Sequence, residues 1–287
     1  MAICWQPPHG TDRKECNPMP EELPIKKYPR TPHLEGSRLQ PGDEDLSQIP
    51  FSDIAGRHVV VEEKCDGANS AVSFDRDGTL LLQSRGHYLT GGWRERHYNL
   101  FKQWASVHQE AFYEVLGSRY IMYGEWMYAK HTVYYDALPH YFLEFDVLDR
   151  ETGCFLDTPS RRRLLDPLPV VPVPVLAQGV FRDKGPLLAL LGPSNYITAD
   201  HLEHLSEDAR KLGLDEDRQC RETDGADTME GLYLKVEEGG QVVDRLKFVR
   251  PSFTQTVDAS QTHWLDRPIV PNRLSRPVED LFLPELD

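Results

Sequence analysis

Two hairpin signatures constrain the fold of this chain more than any other feature. EGLYLKVEE (230–238) and QVVDRLKFV (241–249) are β-branched, alternating runs separated only by Gly239-Gly240. Adjacent glycines supply the positive φ angles that a two-residue hairpin turn requires. SAVSFDRDGTLLLQSR (70–85) repeats the device, with Asp77-Gly78 at its turn. HVVVEEK (58–64), RYIMYGEWMY (119–128) and HYFLEFDVLD (140–149) read as further strands, because aromatic and β-branched side chains suit a pleated surface.

Helical periodicity is confined to two places. Over 99–116, Leu100, Trp104, Val107, Ala111 and Val115 fall on one face, Phe101, Phe112 and Leu116 lie beside it, and Gly117 stands where a C-terminal cap belongs. From Ala199 to about Leu212, the stripe is Leu202, Leu205, Ala209 and Leu212, with Thr198 as the expected cap. Residues 1–50 read as an irregular arm containing KKYPRTPHLEGS (26–37) and the acidic turn PGDEDL (41–46). Residues 159–176 read as Pro-rich, with a basic turn Ser160-Arg161-Arg162-Arg163, and 251–287 as a Pro-rich tail. The sum is α+β: antiparallel sheets with a few flanking helices. Regular β-α-β alternation is missing, as are the GxGxxG and GxxxxGK[ST] phosphate loops.

Composition narrows the classes further. At 287 residues and 39% hydrophobic, the chain can bury a substantial core. No apolar run approaches the ~18–20 residues that span a bilayer. The start, MAICWQPPHGTDRKE, lacks the charged-then-apolar pattern of a secretory signal. Five widely spaced cysteines without a CxxC pair suggest neither a zinc site nor a disulfide framework. The loose set Cys4, His9 and Cys16 carries no metal expectation. A reducing, cytoplasmic setting follows.

Chemistry concentrates in Glu63-Lys64-Cys65-Asp66-Gly67-Ala68-Asn69. A lysine that ends a buried strand needs a charge partner or a lowered pKa, and a lysine deprotonated there is a nucleophile. Alone, the pattern is weak and reads first as a surface lysine at a turn. Its meaning comes from the fragments that follow in order: Ser84-Arg85-Gly86, Tyr123-Gly124-Glu125-Trp126, Phe142-Leu143-Glu144-Phe145-Asp146, Glu230-Gly231-Leu232-Tyr233-Leu234-Lys235 and Arg245-Leu246-Lys247-Phe248. This series resembles motifs I, Ia, III, IIIa, IV and V of the covalent nucleotidyltransferases, the polynucleotide ligases and mRNA capping enzymes. The resemblance spans about 58–250. The EKxxGxN form of motif I, and KYPRTPHL before it, are most similar to RNA ligases of the phage nick-sealing type and their bacterial relatives.

That resemblance implies a nucleotidyltransferase (ATP-grasp-like ligase adenylation) domain over 51–250, with an insert at about 150–229 and the 1–50 arm packed on the core. It implies RNA ligation: Lys64 attacks the α-phosphorus of ATP, AMP passes from the lysine to an RNA 5′-phosphate, and a 3′-OH displaces it. Displacements at phosphorus rest on positioning and charge stabilisation. By position in the motifs, Arg85 would hold a phosphate or the ribose side, Glu125 a ribose hydroxyl and Phe145 the adenine face. Glu230 would hold Mg²⁺ or Mn²⁺, Lys247 the α-phosphate, and Asn69 a phosphate or the acceptor end. Glu63 and Lys235 are further nucleotide-binding candidates, and Asp66, Arg245 and Arg250 secondary phosphate or RNA contacts. Cations gathered near Lys64 are expected to depress its pKa.

Motif V departs from the common Lys-x-Lys, since Arg245 takes the first place. Only 37 residues follow Arg250, so neither an OB-fold nor a helical C-terminal domain is expected. A DNA ligase or a GTP-dependent capping enzyme are the alternatives, and each would ordinarily carry the OB-fold. A non-catalytic relative would not need Lys64, Glu125, Glu230 and Lys247 together. An end-healing kinase-phosphatase is a candidate partner, and a membrane is not. The net charge of −14 argues against a polyanion partner only in bulk. Arg85, Arg94, Arg96 and Lys102, with His87 and His97, face the single acid Glu95 in 84–104, whereas acid gathers in 203–230 and 278–287. A focused basic face on an acidic body is therefore expected, with RNA binding that weakens as salt rises.

Overall fold

The computed structural model describes residues 24–39, 42–43, 45–253 and 268–284; Cys4, His9 and Cys16 lie outside them. The strands are β1 (His33–Leu34), β2 (Gln48–Ile49), β3 (His58–Lys64), β4 (Ala68–Phe74), β5 (Leu80–Ser84), β6 (Tyr120–Trp126), β7 (Phe142–Asp149), β8 (Phe155–Leu156), β9 (Val171–Pro172), β10 (Val175–Val180), β11 (Gly231–Glu238) and β12 (Gln241–Val249). The helices are α1 (Asn99–Val107), α2 (Gln109–Leu116), α3 (Thr158–Leu165), α4 (Lys184–Leu188), α5 (His201–Lys211) and α6 (Glu216–Arg221). Among the described residues no helix is long and apolar enough to cross a membrane.

The strands join one sheet in the order β10-β3-β11-β12-β8-β7-β6-β4-β5, almost wholly antiparallel. The two-residue β8 is its narrow waist, pairing with β12 on one side and β7 on the other. Two half-sheets result, β10-β3-β11-β12 and β7-β6-β4-β5. Both expected hairpins form, β4–β5 and β11–β12. Gly239 and Gly240 sit at φ +61° and +83°, a conformation that costs side-chain-bearing residues strain.

Each half-sheet has its own apolar face. Val59, Val61, Leu232, Leu234, Val236, Leu246 and Phe248 of the first pack with Leu34, Phe51, Ile54, Leu187 and Met229. The second carries Phe101, Trp104 and Phe112 of α1–α2 on Val72, Met122, Trp126 and Phe142, with the Phe101 and Phe142 rings stacked 5.5 Å apart. The segment 99–116, expected as one helix, kinks at His108 (φ −96°, ψ 10°), whose ring bonds the Leu281 carbonyl at 2.9 Å. The kink turns Val107 outward, leaving it 59% exposed, and Phe101, Trp104, Ala105, Phe112 and Leu116 form the buried stripe instead.

Two other local expectations change. Ser160–Arg163 is not a turn but the body of α3, capped by Asp157, which accepts from the Ser160 amide at 2.9 Å, with Pro159 in the first turn. Thr198 does not cap α5; its hydroxyl donates to Asp136 at 2.5 Å. The 150–229 region supplies β8, β9 and β10 of the sheet. From the arm, β1 lies parallel to β12 with His33 opposite Lys247.

Where the half-sheets' inner faces meet, the contact is ionic. Arg161 of α3, fully buried, reaches Glu62 at 2.8 Å and Glu144 at 3.5 Å. Lys235, also fully buried, lies 2.8 Å from Glu62 and 3.3 Å from Asp146, and Arg245 lies 3.1 Å from Asp146. Burial opposes the Asp146 charge, yet Lys235, Arg245 and Arg161 outweigh it and hold its carboxyl below the usual range. Glu144, with burial dominant, is pushed up to about 7. Removing one member of such a network strands buried charge. Arg161→Ala should therefore lose ~3–5 kcal/mol of unfolding free energy in urea titrations, with Arg161→Lys losing less.

Candidate active site

The chain crosses from the first half-sheet to the second at Cys65-Asp66-Gly67, between β3 and β4. The turn runs against the end of β6: a Cβ on Gly67 would lie 2.9 Å from the Trp126 carbonyl and 2.7 Å from the Met127 sulfur. Glycine is thus required here by close approach. The crossing opens into a cleft of about 1180 Å³ between the half-sheets, lined by Lys64, Asn69, Arg85, Glu125, Phe145, Glu230 and Lys247 among others. Strand register brings these distant residues together: Gly231 lies opposite Lys64, Asn69 opposite Glu125, and Tyr233 opposite both Glu62 and Lys247.

Lys64 Nζ donates to Glu230 Oε2 at 2.5 Å, and Glu230 is 1% exposed. Burial alone would lower the lysine's pKa, but Glu230, helped by Asp66 and Glu125, overcomes it and the net shift is upward. The expected depression is thus reversed, because the immediate neighbours of the ammonium are carboxylates. Lys247 shows the opposite balance. Burial and Lys64 lower its pKa despite an ion pair with Asp43. Glu125 is pushed up to about 8, chiefly by burial against the pull of Lys64, with Glu230 and Asp66 adding repulsion. Asn69 Oδ1 is buried and has no hydrogen-bond partner. Phe145 forms an aromatic wall, braced edge-on by Tyr28 at 5.0 Å, and Arg85 stands exposed at the rim.

Five other expected contacts have side chains engaged within the fold, although Glu63 and Asp66 also line the cleft. Glu63 is buried and accepts from Ser194 Oγ at 2.5 Å and Asn195 Nδ2 at 2.7 Å, anchoring that loop. Asp66 accepts from the Thr132 and Val133 amides at 2.8 and 2.9 Å, tying a second loop to the turn. Lys235 and Arg245 are members of the buried ionic network, and neither lines the cleft. Arg245 also lies 3.9 Å above the Phe155 ring. Arg250 is buried, pairs with Asp224 and donates to the Met229 carbonyl at 3.0 Å. In each case a hydrogen bond or ion pair ties the side chain to another part of the fold.

The basic face is narrower than the sequence suggests. Glu95 takes Lys102 at 2.5 Å, and Asp149 takes Arg119 at 2.7 Å. Arg85, Arg94, Arg96, Lys130 and Lys247 line the cleft. Acid reaches the rim too, through Asp215 and Glu222 beside Arg218. Sequence reasoning missed Asp43 and Tyr233, both cleft-lining. The signal for Tyr233 was present, two residues before Lys235 on the same strand face.

A model of the family described as RNA ligase matches residues 57–249. No curated protein matches the sequence significantly. Among solved structures, a mutant Naegleria gruberi RNA ligase with ATP and Mn is similar at 17% identity, covering 83% of this chain and 59% of that one, with a TM-score of 0.49. A mutant of the same ligase with AMP and Mn shows 16% identity, 78% and 56% coverage and 0.49. The ligase with PPi shows 17%, 90% and 65%, and 0.45. The chain thus spans less than two thirds of the length of these structures.

The raised Glu125 carboxyl has a measurable consequence. A carboxyl shifted from 4.5 to about 8 favours folding at low pH, and that contribution is lost as pH rises through the interval. Glu125→Gln removes the titration. Its melting temperature relative to the unsubstituted protein should therefore climb between pH 5 and pH 9, as followed by calorimetry.

Proposed function

The chain belongs to the RNA ligase family, and from that premise we propose that it is an ATP-dependent RNA ligase joining 3′-OH and 5′-phosphate RNA ends. The observation that carries this reading is the pairing of Lys64 with Glu230 at 2.5 Å, with Lys247 lining the same cleft from a nearby strand. A nucleophilic amine, a carboxylate and a second cation converge where a polyphosphate can enter. On this reading residues 51–250 form the nucleotidyltransferase domain. The arm (24–49) and the 150–229 region border its cleft through Tyr28, Asp43, Arg218 and Glu222.

In the first step the Lys64 nitrogen forms a bond to the α-phosphorus of ATP as pyrophosphate leaves with the electrons of the broken P–O bond. The resulting phosphoramidate gives AMP to the 5′-phosphate of an RNA end, returning Lys64. The 3′-OH of the other end then attacks that 5′-phosphorus, and AMP departs. Lys64 must shed a proton to act. Burial favours the neutral amine, whereas the Glu230 charge favours the ammonium, and a divalent cation held at Glu230 would share that charge. Lys247 holds the α-phosphate, Phe145 the adenine and Glu125 a ribose hydroxyl; Arg85 and Asn69 serve the phosphates and the acceptor end. The exposed Arg85 reaches an incoming strand without breaking a buried contact.

The residues fit a hard divalent cation. Glu230 offers a carboxylate and Asn69 an unpartnered oxygen. Among the described residues no cluster of three His, Cys, Asp or Glu could hold a metal by itself. Mg²⁺ and Mn²⁺ bound with nucleotide suit this, because they keep waters and phosphate oxygens and need one or two protein carboxylates. When bound, such an ion neutralises charge on the phosphate oxygens. RNA ends bearing 3′-OH and 5′-phosphate are what an end-healing kinase-phosphatase produces, so that class is the proposed upstream partner. The described cysteines, Cys65, Cys154 and Cys220, are free, in keeping with a reducing cytoplasm.

Incubation with α-labelled ATP and Mg²⁺ tests the reading. The protein, freed of prior AMP, should retain label after denaturation. Lys64→Ala should take none, and Lys247→Ala should label ~10²–10³-fold more slowly, the range for losing one charge-stabilising group at a reacting centre. Absence of label on the unsubstituted protein overturns the proposal, and label from GTP alone replaces it with a capping activity. Sealing of nicked RNA in preference to nicked DNA identifies the strand.

A further inference from the structure

Lys247 has a partner that the motif series does not contain. Asp43, from the acidic turn of the arm 204 residues away, accepts from the Lys247 ammonium. Asp43 is 8% exposed and lines the cleft. The same oxygen, Oδ2, lies 3.1 Å from His33 Nε2, and Oδ1 lies 3.5 Å from Arg30. His33 is fully buried, and its Nδ1 lies 2.7 Å from Ser37 Oγ, which in turn accepts from the Val249 amide at 2.9 Å.

The proton positions follow from these partners. With the Val249 N–H donated to it, Ser37 Oγ directs its own hydrogen at His33 Nδ1. His33 then carries its proton on Nε2, the only arrangement that gives a donor to the Asp43 carboxylate. A doubly protonated ring is disfavoured, since burial lowers the His33 pKa. The chain of donors therefore runs Val249 N–H, Ser37 O–H, His33 Nε2–H, Asp43. It begins on β12 and ends on β12, two residues apart, at Lys247. The backbone closes the loop, because His33 lies opposite Lys247 in register and the Lys247 amide donates to the Pro32 carbonyl at 2.9 Å.

We infer that Asp43, fixed by the His33–Ser37 relay, is the positioning residue that aims the Lys247 ammonium at the nucleotide phosphates. A lysine on four rotatable bonds is a poor point of aim, and a carboxylate at its tip selects one direction. The relay makes that carboxylate rigid rather than a mobile surface charge. The arm would thus complete the phosphate site from outside the motif-bearing strands. This inference rests on the proposed function, and its test separates the two.

Single-turnover labelling with α-labelled ATP measures the role. Asp43→Asn should lower the maximal adenylylation rate about 10–100-fold, the scale of a misplaced charge-stabilising group, while half-saturating ATP changes less than about threefold. His33→Gln, whose amide can still donate to Asp43, should stay within about threefold of the unsubstituted rate. His33→Leu should reproduce the Asp43→Asn loss. The decisive comparison is a double-mutant cycle: Asp43→Asn combined with Lys247→Ala should label no more slowly than Lys247→Ala alone. Asp43→Ser serves the same cycle if Asp43→Asn does not fold. Multiplying losses, or an Asp43→Asn rate equal to that of the unsubstituted protein, would overturn the inference and leave the ligase reading intact. An unsubstituted protein that takes no label would overturn both.

Discussion

The structure depends on a charge-balanced seam buried between two half-sheets. Glu62, Glu144 and Asp146 face Arg161, Lys235 and Arg245 there. An apolar seam would hold the halves with less desolvation cost. The ionic one aligns them, since Asp146 of one half meets Lys235 and Arg245 of the other, and Arg161 bridges Glu62 and Glu144. Arg161 matters most for this, because it brings α3 to both Glu62 and Glu144.

The seam also explains where the cleft lies. Along the inner face of the first half-sheet, side chains repeat every second residue. Glu62 and Lys64 follow each other on β3, Tyr233 and Lys235 on β11, and Arg245 and Lys247 on β12. Register sorts them into rows across the strands: Lys235 faces Arg245, and Tyr233 faces Lys247 and Glu62. The deeper row is closed by the seam. One step outward the half-sheets part, and the same periodicity delivers Lys64 and Lys247 to the opening. Depth, set by two residues of strand, decides whether a lysine is held in the seam or lines the cleft.

That rule marks the limit of what the sequence could show. Period-two alternation and the glycine turns made β3 to β7, β11 and β12 legible, though not β1, β2, β8, β9 or β10, and motif order singled out Lys64, Glu125, Phe145, Glu230 and Lys247, all of which line the cleft. Alternation says which face a side chain takes, not how far along the cleft it sits. Lys235 and Arg245 therefore read like Lys247 until the register was known. Arg161 was hidden for a different reason: its helix has a basic surface pattern, and its buried role depends on Glu62 and Glu144, which come from other elements. The α1–α2 kink at His108 was illegible because its cause, the Leu281 carbonyl, lies 173 residues away.

The net charge of −14 takes on a more local meaning once the partners are known. Much of the positive charge near the motifs is answered inside the fold: Lys102 by Glu95, Arg119 by Asp149, Arg250 by Asp224. The same holds at the centre, where Lys64 carries Glu230 and Lys247 carries Asp43. An anion that reaches Lys64 and Lys247 does not meet bare cations. It must exchange with carboxylates already in place, and each exchange leaves a carboxylate needing a new partner. On the proposed function a divalent cation would supply that partner for Glu230, and an anion arriving with its own cation would be favoured over one arriving alone. For Asp43 the His33 N–H remains, so this carboxylate can stay in place while Lys247 also reaches a phosphate. An acidic body and the proposed nucleotide site are compatible on these terms, because selectivity would come from paired exchange and geometry rather than from a surplus of positive charge.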